Sequence, residues 1–512
     1  MSLLAIDVGS SACKAVRFGV GGEILAQHTS SYTPDFPGPS MAEMDPEKFW
    51  HAICASSQAV AKDVVDPIQA LCLSSHGETF VALDANGRPV APAILNQDNR
   101  AFSEAAWCEN AIGRKRLFQI TGLVTHPMYS IPKIIWLRQH RPDIFASTAC
   151  FVTLIGYILQ RMGLPPYVDD SLASRFLAFD IRKRCWSEEI LTAAGLRKEQ
   201  LPVPVPAGSI TGKLTSEAAR DLGLLPGAPV VLGGHDQPCG ALGVGVIGRG
   251  RVYDSIGTYE CIVVGSNEPC LSDAALHASL NSYCHVVPQK FVTLAYFPSG
   301  IMVKWFHDLL YSNGSSHASA ETIADGLEAD HYSFLEAHVP EGPTGLCVTP
   351  HLIGTCNPEF NPLARGVIAG LSPATTRGQL YRGILEGLAC ELSLMTEMLA
   401  EATGDIGDIY VTGGGSRSVL GLQLRAALTG CRLHVMASPD AVCLGTAILA
   451  GVAVGEYRDA REAVDQVVHE TAVLAPNQAT AESYADQMKQ YRIFRAAMMA
   501  RQDFLTHKEE ER

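Results

Sequence analysis

The chain has 512 residues, 47% of them hydrophobic and 18% charged, and a formal net charge of −14. This length exceeds what a single hydrophobic core supports, so two domains of roughly 250 residues with a cleft between them are expected. The acidic balance, with no basic stripe, excludes nucleic acid and anionic membrane as partners, but it allows an anionic small molecule held by local amides and a metal ion. No segment approaches the roughly eighteen uninterrupted apolar residues of a membrane span. The first residues also lack a basic region followed by an apolar run, so a cytoplasmic protein is expected. The fifteen cysteines form no CxxC pair, and Cys54, Cys72, Cys150, Cys261 and Cys390 fall in apolar runs, which reads as reduced core thiols.

In chain order, residues 3–8 predict a strand, Gly9 to Ser11 a small-residue turn, 13–20 a second strand, and Gly21-Gly22 a return into 23–28. A helix over 46–64, strands over 71–75 and 80–83, and helices over 100–112 and 133–140 continue a mixed α/β pattern. Pro202, Pro204 and Pro206 punctuate a loop. Residues 229–232 read as a short buried strand, followed by the glycine-rich bend Gly233-Gly234-His235-Asp236-Gln237 and a close-packed helix start over 241–246. Asp236 would then lie at the carboxyl end of a strand, where open α/β sheets bind ligands. An acid after Gly-Gly also serves as a turn residue or helix cap, so both readings stand at this point.

The glycine-rich run over 233–250 closes a first domain, residues 1–250, and a second begins near Arg251. Its opening, Val252 to Val264, resembles Leu4 to Val16: an apolar run, an acid, a glycine with a hydroxyl residue, then another apolar run. That pattern fits an internal duplication. A long helix over 376–402, a strand over 410–412, the triple glycine Gly413 to Gly415, a helix over 419–428, a strand over 433–436 and a small-residue helix over 441–454 complete a second unit over 251–460. Residues 461–512 are expected to form a helical tail, polar and on the surface after Ala479, with a frayed charged end at 507–512.

Glycine-rich turns bearing acids or hydroxyls recur around Asp7, around Asp254 to Thr258 and around Gly413 to Ser418. Phosphate binding calls for this chemistry, because glycine lets amides close on phosphate oxygens, Ser and Thr donate, and an acid holds Mg²⁺. Neither a Walker A string nor a GxGxxG opening a βαβ unit occurs. Each turn taken alone is equally compatible with a structural role.

Met128 to His140, and Gly366-Val367-Ile368-Ala369-Gly370-Leu371 continued to Leu385-Glu386, resemble the two signatures of the FGGY family of carbohydrate kinases. That family belongs to the superfamily of hexokinase, actin and the Hsp70 ATPase domain. The second signature departs only in Gly383, where Ala or Ser is usual. The resemblance implies an α/β fold of two ribonuclease-H-like, actin-like ATPase domains flanking a catalytic cleft, with sugar on the first domain and nucleotide on the second. It implies ATP and Mg²⁺ as cofactors and Asp236 as the catalytic base. Asp7 is implied as the acid that helps place Mg²⁺, with Gly9, Ser10, Ser11 and Lys14 near the γ-phosphate. Gly257 and Thr258 match a second phosphate loop, and Gly413, Gly414, Gly415 and Ser416 the adenosine loop. His76, Glu78, Asp98, Arg100 and Gln237 fall where family members contact the sugar.

Gly77 stands where glycerol kinases place a substrate-binding Arg, and the Met-His pair of xylulose kinases is absent at Gly77-Glu78. The implied reaction is ATP-dependent phosphorylation of a hydroxyl of a small ketose or polyol that is xylulose-, fuculose- or glycerol-like, feeding carbohydrate catabolism. The expected partner is that small molecule, with no nucleic acid and no membrane, and a homodimer is an allowed assembly. Two other readings use the same phosphate turns: an actin- or Hsp70-like ATPase, and a catalytically idle sugar-binding regulator. Glu78 and Asp98 can instead be structural acids paired with Arg100, and His76 can equally be packed.

Overall fold

The structure is a computed structural model and describes residues 1–62, 67–311, 325–404 and 406–510. It contains two large mixed sheets built on one plan. In the first, β1 (Ser2–Val8), β2 (Ala12–Gly19) and β3 (Ile24–Ser31) form an antiparallel meander. To this β4 (Ile68–Ser75) and then β6 (Pro229–His235) add in parallel, and β5 (Ile210–Lys213) closes the edge antiparallel, giving the order β5-β6-β4-β1-β2-β3. The second sheet repeats this around β7 (Arg251–Ile256), β8 (Tyr259–Ser266), β9 (Asn281–Cys284) and β10 (Phe291–Pro298). Strands β11 (Asp408–Thr412) and β12 (Leu433–Met436) add in parallel and β13 (Glu470–Leu474) antiparallel, giving the order β9-β10-β8-β7-β11-β12-β13. These are the two ribonuclease-H-like units, and β1–β2 and β7–β8 are corresponding hairpins.

The apolar runs are continuous because the central strands are covered on both faces. In β1, Leu4, Ile6 and Val8 enter one core and Leu3 and Ala5 another. In β6, Val230 and Leu232 join the first and Val231 the second. The helices packed around the sheets include α1 (Pro46–Ala61), α2 (Ser130–His140), α3 (Asp170–Ser174), α4 (Asp236–Gly243), α5 (Arg377–Thr403), α6 (Val419–Thr429), α7 (Ala441–Val454) and α8 (Gln478–Glu510). Residues 63 and 64 of the helix expected over 46–64, and residues 511 and 512 of the expected frayed end, lie outside the described residues. The α5 helix opens on a capping box, in which Thr376 Oγ1 accepts from the Gln379 amide at 3.2 Å and Gln379 Oε1 accepts from the Thr376 amide at 2.8 Å.

Although α7 follows the last parallel strand of the second sheet, it packs on β1, β4 and β6 of the first. There it crosses α4 so closely that the backbones touch. A Cβ at Gly445 would overlap the Cys239 carbonyl oxygen, and one at Gly243 the Ala441 carbonyl oxygen. Cys443, Leu444, Ala447 and Ile448 of α7 form one core with Leu3, Ala5, Val16, Phe18, Cys72 and Val231.

Two expectations about the C-terminal part change. Residues 461–512 are not purely helical, because they include β13 at the edge of the second sheet. Nor is α8 merely a polar surface helix, since Tyr484, Gln487, Tyr491, Arg495 and Met499 are buried along one side. On that side Tyr484 donates to Glu386 at 2.7 Å and Tyr491 to Glu391 at 2.6 Å, and Arg495 bridges Glu391 at 2.8 Å to Glu359 at 2.7 Å. Polar atoms make these contacts, so the buried face does not read as apolar periodicity.

Because backbone cannot yield at the helix crossing, Gly445→Ala is expected to destabilise the protein by about 1–3 kcal/mol or more. Gly248→Ala, where the nearest atom to a new Cβ is Asn267 Oδ1 at 3.8 Å, should fall within about 1 kcal/mol of the parent in the same urea melt. Equal midpoints for the two variants would contradict the crossing.

Candidate active site

The crossing sets the end of α4 against the start of α7, and each helix has an acid at its head, Asp236 as the first residue of α4 and Asp440 just before α7. Strand β6 runs through His235, which occupies the N-cap position, and α4 starts at Asp236 itself. The helix therefore starts five residues before the expected position at 241, and Asp236 lies in its first turn rather than in a loose bend. A carboxylate there faces the positive end of the helix. Even so, burial, reinforced by the nearby charges of Asp7 and Glu78, holds its pKa well above the usual carboxylate range. Its side chain keeps 24% exposure, and Oδ1 has no hydrogen-bond partner but lies 3.3 Å from His235 Nε2. The other ring nitrogen of His235 is 2.9 Å from the Tyr283 hydroxyl, and its amide donates to Ser171 Oγ at 2.9 Å. Burial, with Arg175 and His76 close by, keeps the imidazole neutral.

Asp7 comes from β1, opposite Lys14 on β2 and beside Ser74 on β4, whose hydroxyl donates to it at 2.9 Å. Burial, and less so Asp440, raises its pKa to about 6 despite the hydrogen bond from Ser74 and the charge of Lys14. Asp440 precedes α7, makes no capping bond to that helix and forms a close ion pair with Lys14. Asp440 is thus the second-sheet counterpart of Asp236, and sequence reading missed it. The available signal was Ser438-Pro439-Asp440 between a strand and a small-residue helix, the same strand, acid, helix order as at Asp236.

Gly9 closes the β1–β2 turn by donating to the Ala12 carbonyl at 2.9 Å, while Ser10 and Ser11 are exposed at its tip. Asp254 does not repeat Asp7. In register Ser255 takes the Asp7 position, so Asp254 projects to the opposite face among Glu260 and Arg425, where burial and Glu260 keep its carboxyl protonated. Arg425 instead donates to Glu260 at 2.9 and 2.7 Å.

On the other side of the cleft, Gly257, Thr258, Gly414 and Gly415 line a cavity of about 880 Å³ together with Gly300, Trp305 and Tyr381. Gly413 brings its backbone against Ile256, and the Ser416 hydroxyl turns back onto the Gly413 carbonyl at 2.7 Å. Gly413 and Ser416 thus shape the loop, whereas Gly414 and Gly415 face the cavity.

The expected sugar residues divide. Glu78, in the β4-side loop with φ +63°, receives Arg175 Nε at 2.5 Å and pairs closely with Nη2. Its carbonyl accepts from Lys133 at 3.0 Å and Ser130 at 3.1 Å. Arg175 lies over the rings of Tyr129 at 5.1 Å and Tyr283 at 5.0 Å. Gln237 follows Asp236, and its Oε1 is buried and unpartnered. The polar atoms of the other three residues are engaged within the protein. His76 uses both ring nitrogens, on the Val8 carbonyl at 2.9 Å and Thr79 Oγ1 at 2.7 Å. Asp98 accepts the Ala42 amide at 2.6 Å and the Arg100 side chain at 2.7–3.0 Å, and Arg100 also pairs with Glu43 at 2.7 Å and covers Trp136. Their polar atoms are consumed holding loops together, so Asp98 and Arg100 leave little for a ligand. Arg175 and Tyr283 were missed because neither lies in a glycine-rich turn; the only local cue was an Arg within the small and apolar run 172–177.

The donor set suits a hard divalent cation. The charge of Asp440 favours a proton on Asp7, and that of Asp7 favours one on Asp236, in a nearly dry space that an ion of charge two would relieve. Among the described residues no three ligating side chains form a closed cage. This fits Mg²⁺, which keeps waters and takes substrate phosphate oxygens beside one or two carboxylates.

The raised Asp7 pKa has a definite sign: ionising this group costs folded-state stability as pH rises from about 4 to about 6. Asp7→Asn is therefore expected to raise the melting temperature of the free protein at pH 7 while weakening Mg²⁺·ATP binding. In the parent, Mg²⁺ affinity should fall about tenfold per pH unit below about 6, read by calorimetry. Affinity flat through that range would remove Asp7 from the metal site.

Comparison with known proteins agrees with this architecture. The models of the FGGY family of carbohydrate kinases match residues 2–243 with the N-terminal domain and 252–454 with the C-terminal domain. A xylulose kinase of Escherichia coli (strain K12) is 29% identical over 497 residues, 96% of this chain and 97% of that protein. A gluconokinase of Bacillus subtilis (strain 168) is 28% identical over 494 residues, 95% and 94% of the two chains. The solved structure of a ligand-bound xylulose kinase from Lactobacillus acidophilus superposes with a TM-score of 0.88 at 22% identity, covering 98% of each chain, which shows the shared fold.

Proposed function

Since this chain belongs to the FGGY family of carbohydrate kinases and is a phosphotransferase of that kind, we propose that it transfers the γ-phosphoryl group of ATP to a hydroxyl of a small ketose or polyol, with Asp236 as general base. One observation carries the assignment: Asp236 opens α4 at the end of a central strand, near the charge of Asp7, with a carboxyl whose proton affinity is raised. A carboxylate of raised proton affinity suits removal of a proton from an alcohol as its oxygen attacks phosphorus. The acceptor O–H breaks and its proton passes to Asp236. The oxygen bonds to the γ-phosphorus in line, and the bond to the β,γ-bridging oxygen breaks, leaving its electrons on ADP.

The first unit, residues 1–250, holds the sugar, the second, 251–460, the nucleotide, and 461–512 braces the second. Amides of the Gly9–Ser11 turn and of Gly257–Thr258 meet phosphate oxygens, and Gly414 and Gly415 let adenosine approach the backbone. Lys14, tethered by Asp440, supplies positive charge near the γ-phosphate. Asp7 holds Mg²⁺, which when bound neutralises charge on the β- and γ-phosphates. Gln237 offers its unpartnered oxygen to a substrate hydroxyl. Closure of the two units would exclude water, the competing acceptor.

The decisive measurement is an ADP-release screen over tetroses, ketopentoses, ketohexoses, deoxy sugars and polyols, followed by Asp236→Asn on the best substrate. The variant should lose about 10²–10⁴-fold in kcat while nucleotide affinity changes by less than about threefold. Unchanged turnover would sink the base assignment. ADP release that needs no sugar would bring forward an actin- or Hsp70-like ATPase, and sugar binding without turnover an idle regulator.

A further inference from the structure

The xylulose kinase and the gluconokinase that resemble this chain are named for acceptors of different charge, a ketose and a sugar acid. Building on the kinase reading, we infer that the Glu78–Arg175 ion pair sets the charge of the acceptor, so that this site takes an uncharged ketose or polyol and rejects aldonates. Arg175 caps the C-terminal end of α3 and is 5% exposed. Its side chain passes through space that Gly77 leaves open, where a Cβ would stand 2.9 Å from Arg175 Cγ and 3.0 Å from His235 Cδ2. The Arg175 stem thereby fills the place where a side chain on residue 77 would otherwise lie, and its guanidinium reaches Glu78 from another element.

That cation is already matched. Glu78 receives Nε at 2.5 Å and also pairs with Nη2. The other cationic or titratable nitrogens around Asp236, among the described residues, are likewise engaged or neutral. Lys133 is fully buried and donates to the carbonyls of Glu78 and Leu95 at 3.0 and 2.8 Å. Lys14 is paired with Asp440. His235, His76 and His126 are held neutral by burial, His126 at about 4. Against the Arg175 guanidinium and the Lys133 amine stand Glu78, Asp236 and Asp7, an acidic surplus in a poorly solvated space.

Besides Asp236 Oδ1, two groups among the described residues remain unsatisfied there, Arg175 Nη1 as a donor and Gln237 Oε1 as an acceptor. A hydroxyl or keto oxygen and a hydroxyl hydrogen satisfy both without adding charge. A carboxylate could satisfy Nη1 only by bringing a further negative charge beside Glu78 and the already crowded acids Asp236 and Asp7, which a low-dielectric site penalises.

The test compares, on the wild-type chain with Mg²⁺·ATP, kcat/KM for ketopentoses, ketohexoses and polyols with kcat/KM for aldonates of the same carbon number. Wild type should favour the best uncharged sugar by at least about a hundredfold. Glu78→Gln, which frees the Arg175 charge, should lose at least about tenfold on that sugar and lower KM for the aldonate about tenfold. A wild type that prefers the aldonate, or a ratio unchanged within about twofold in Glu78→Gln, overturns the inference. If the variant fails to fold by thermal melt, inhibition constants of the wild type decide, since an aldonate that binds as tightly as the polyol of equal length has the same overturning effect. A wild type preferring aldonates leaves the kinase reading intact, whereas one that neither binds nor phosphorylates any sugar overturns both.

Discussion

The constraint on which the rest of the structure depends is the crossing of α4 and α7 at Gly243 and Gly445. Helix axes normally stay about 8–10 Å apart because side chains intervene. Here glycines remove the intervening atoms and backbone rests on backbone, so neither helix can slide or rotate without collision. Two strands from different sheets each lead into one of these helices, with an acid at its head. Asp7 feels the charge of Asp440, and Asp236 that of Asp7, so the acids are held near one another against their repulsion.

Like charges kept together need a force that outweighs their repulsion, and the surrounding apolar core supplies it. Burying the apolar rows of β1, β4, β6 and α7 holds Asp7 and Asp236 where water is scarce and both would rather be protonated. The site is therefore the least comfortable part of the fold before its ligands arrive, and a cation and phosphates are what it lacks. The Glu78–Arg175 pair follows the opposite rule: it is buried but internally balanced, so it can stand beside the acids without adding net charge. Tyr129 and Tyr283 covering the guanidinium on its faces fix its plane.

Much of this was legible in the sequence, and what was not has identifiable physical causes. Apolar runs and glycine punctuation located the hairpins of both sheets, and small residues marked α7 to its observed ends. The repeat between Leu4 and Val252 was real at the level of strands, but the acid in the second copy sits one residue earlier. In a strand one residue inverts the face, so Asp254 became a core acid and Ser255 took the cleft position. Asp98, Arg100 and His76 were expected to contact the sugar, but a sequence does not say which of their atoms neighbours consume. Arg175, Tyr283 and Asp440 enter the site through tertiary packing of elements far apart in the chain. The buried stripe of α8 followed helical spacing through 484, 487, 491, 495 and 499, but tyrosine, glutamine and arginine disguised it as a solvent face.

The return of α7 to the first sheet also governs how the molecule can be made. During synthesis β1, β2, β4 and β6 are complete once residue 235 has been added, yet the cover for Leu3, Ala5, Val16, Phe18, Cys72 and Val231 lies beyond residue 441. Apart from what Cys239, Leu242 and Ile247 cover, that face of the first sheet stays open until most of the chain has left the ribosome. The two halves are thus not separable modules in the sense that a cut between them would leave two closed cores. The first half carries a hydrophobic surface that only the end of the second can seal, and the nascent protein must keep that surface from other chains in the meantime.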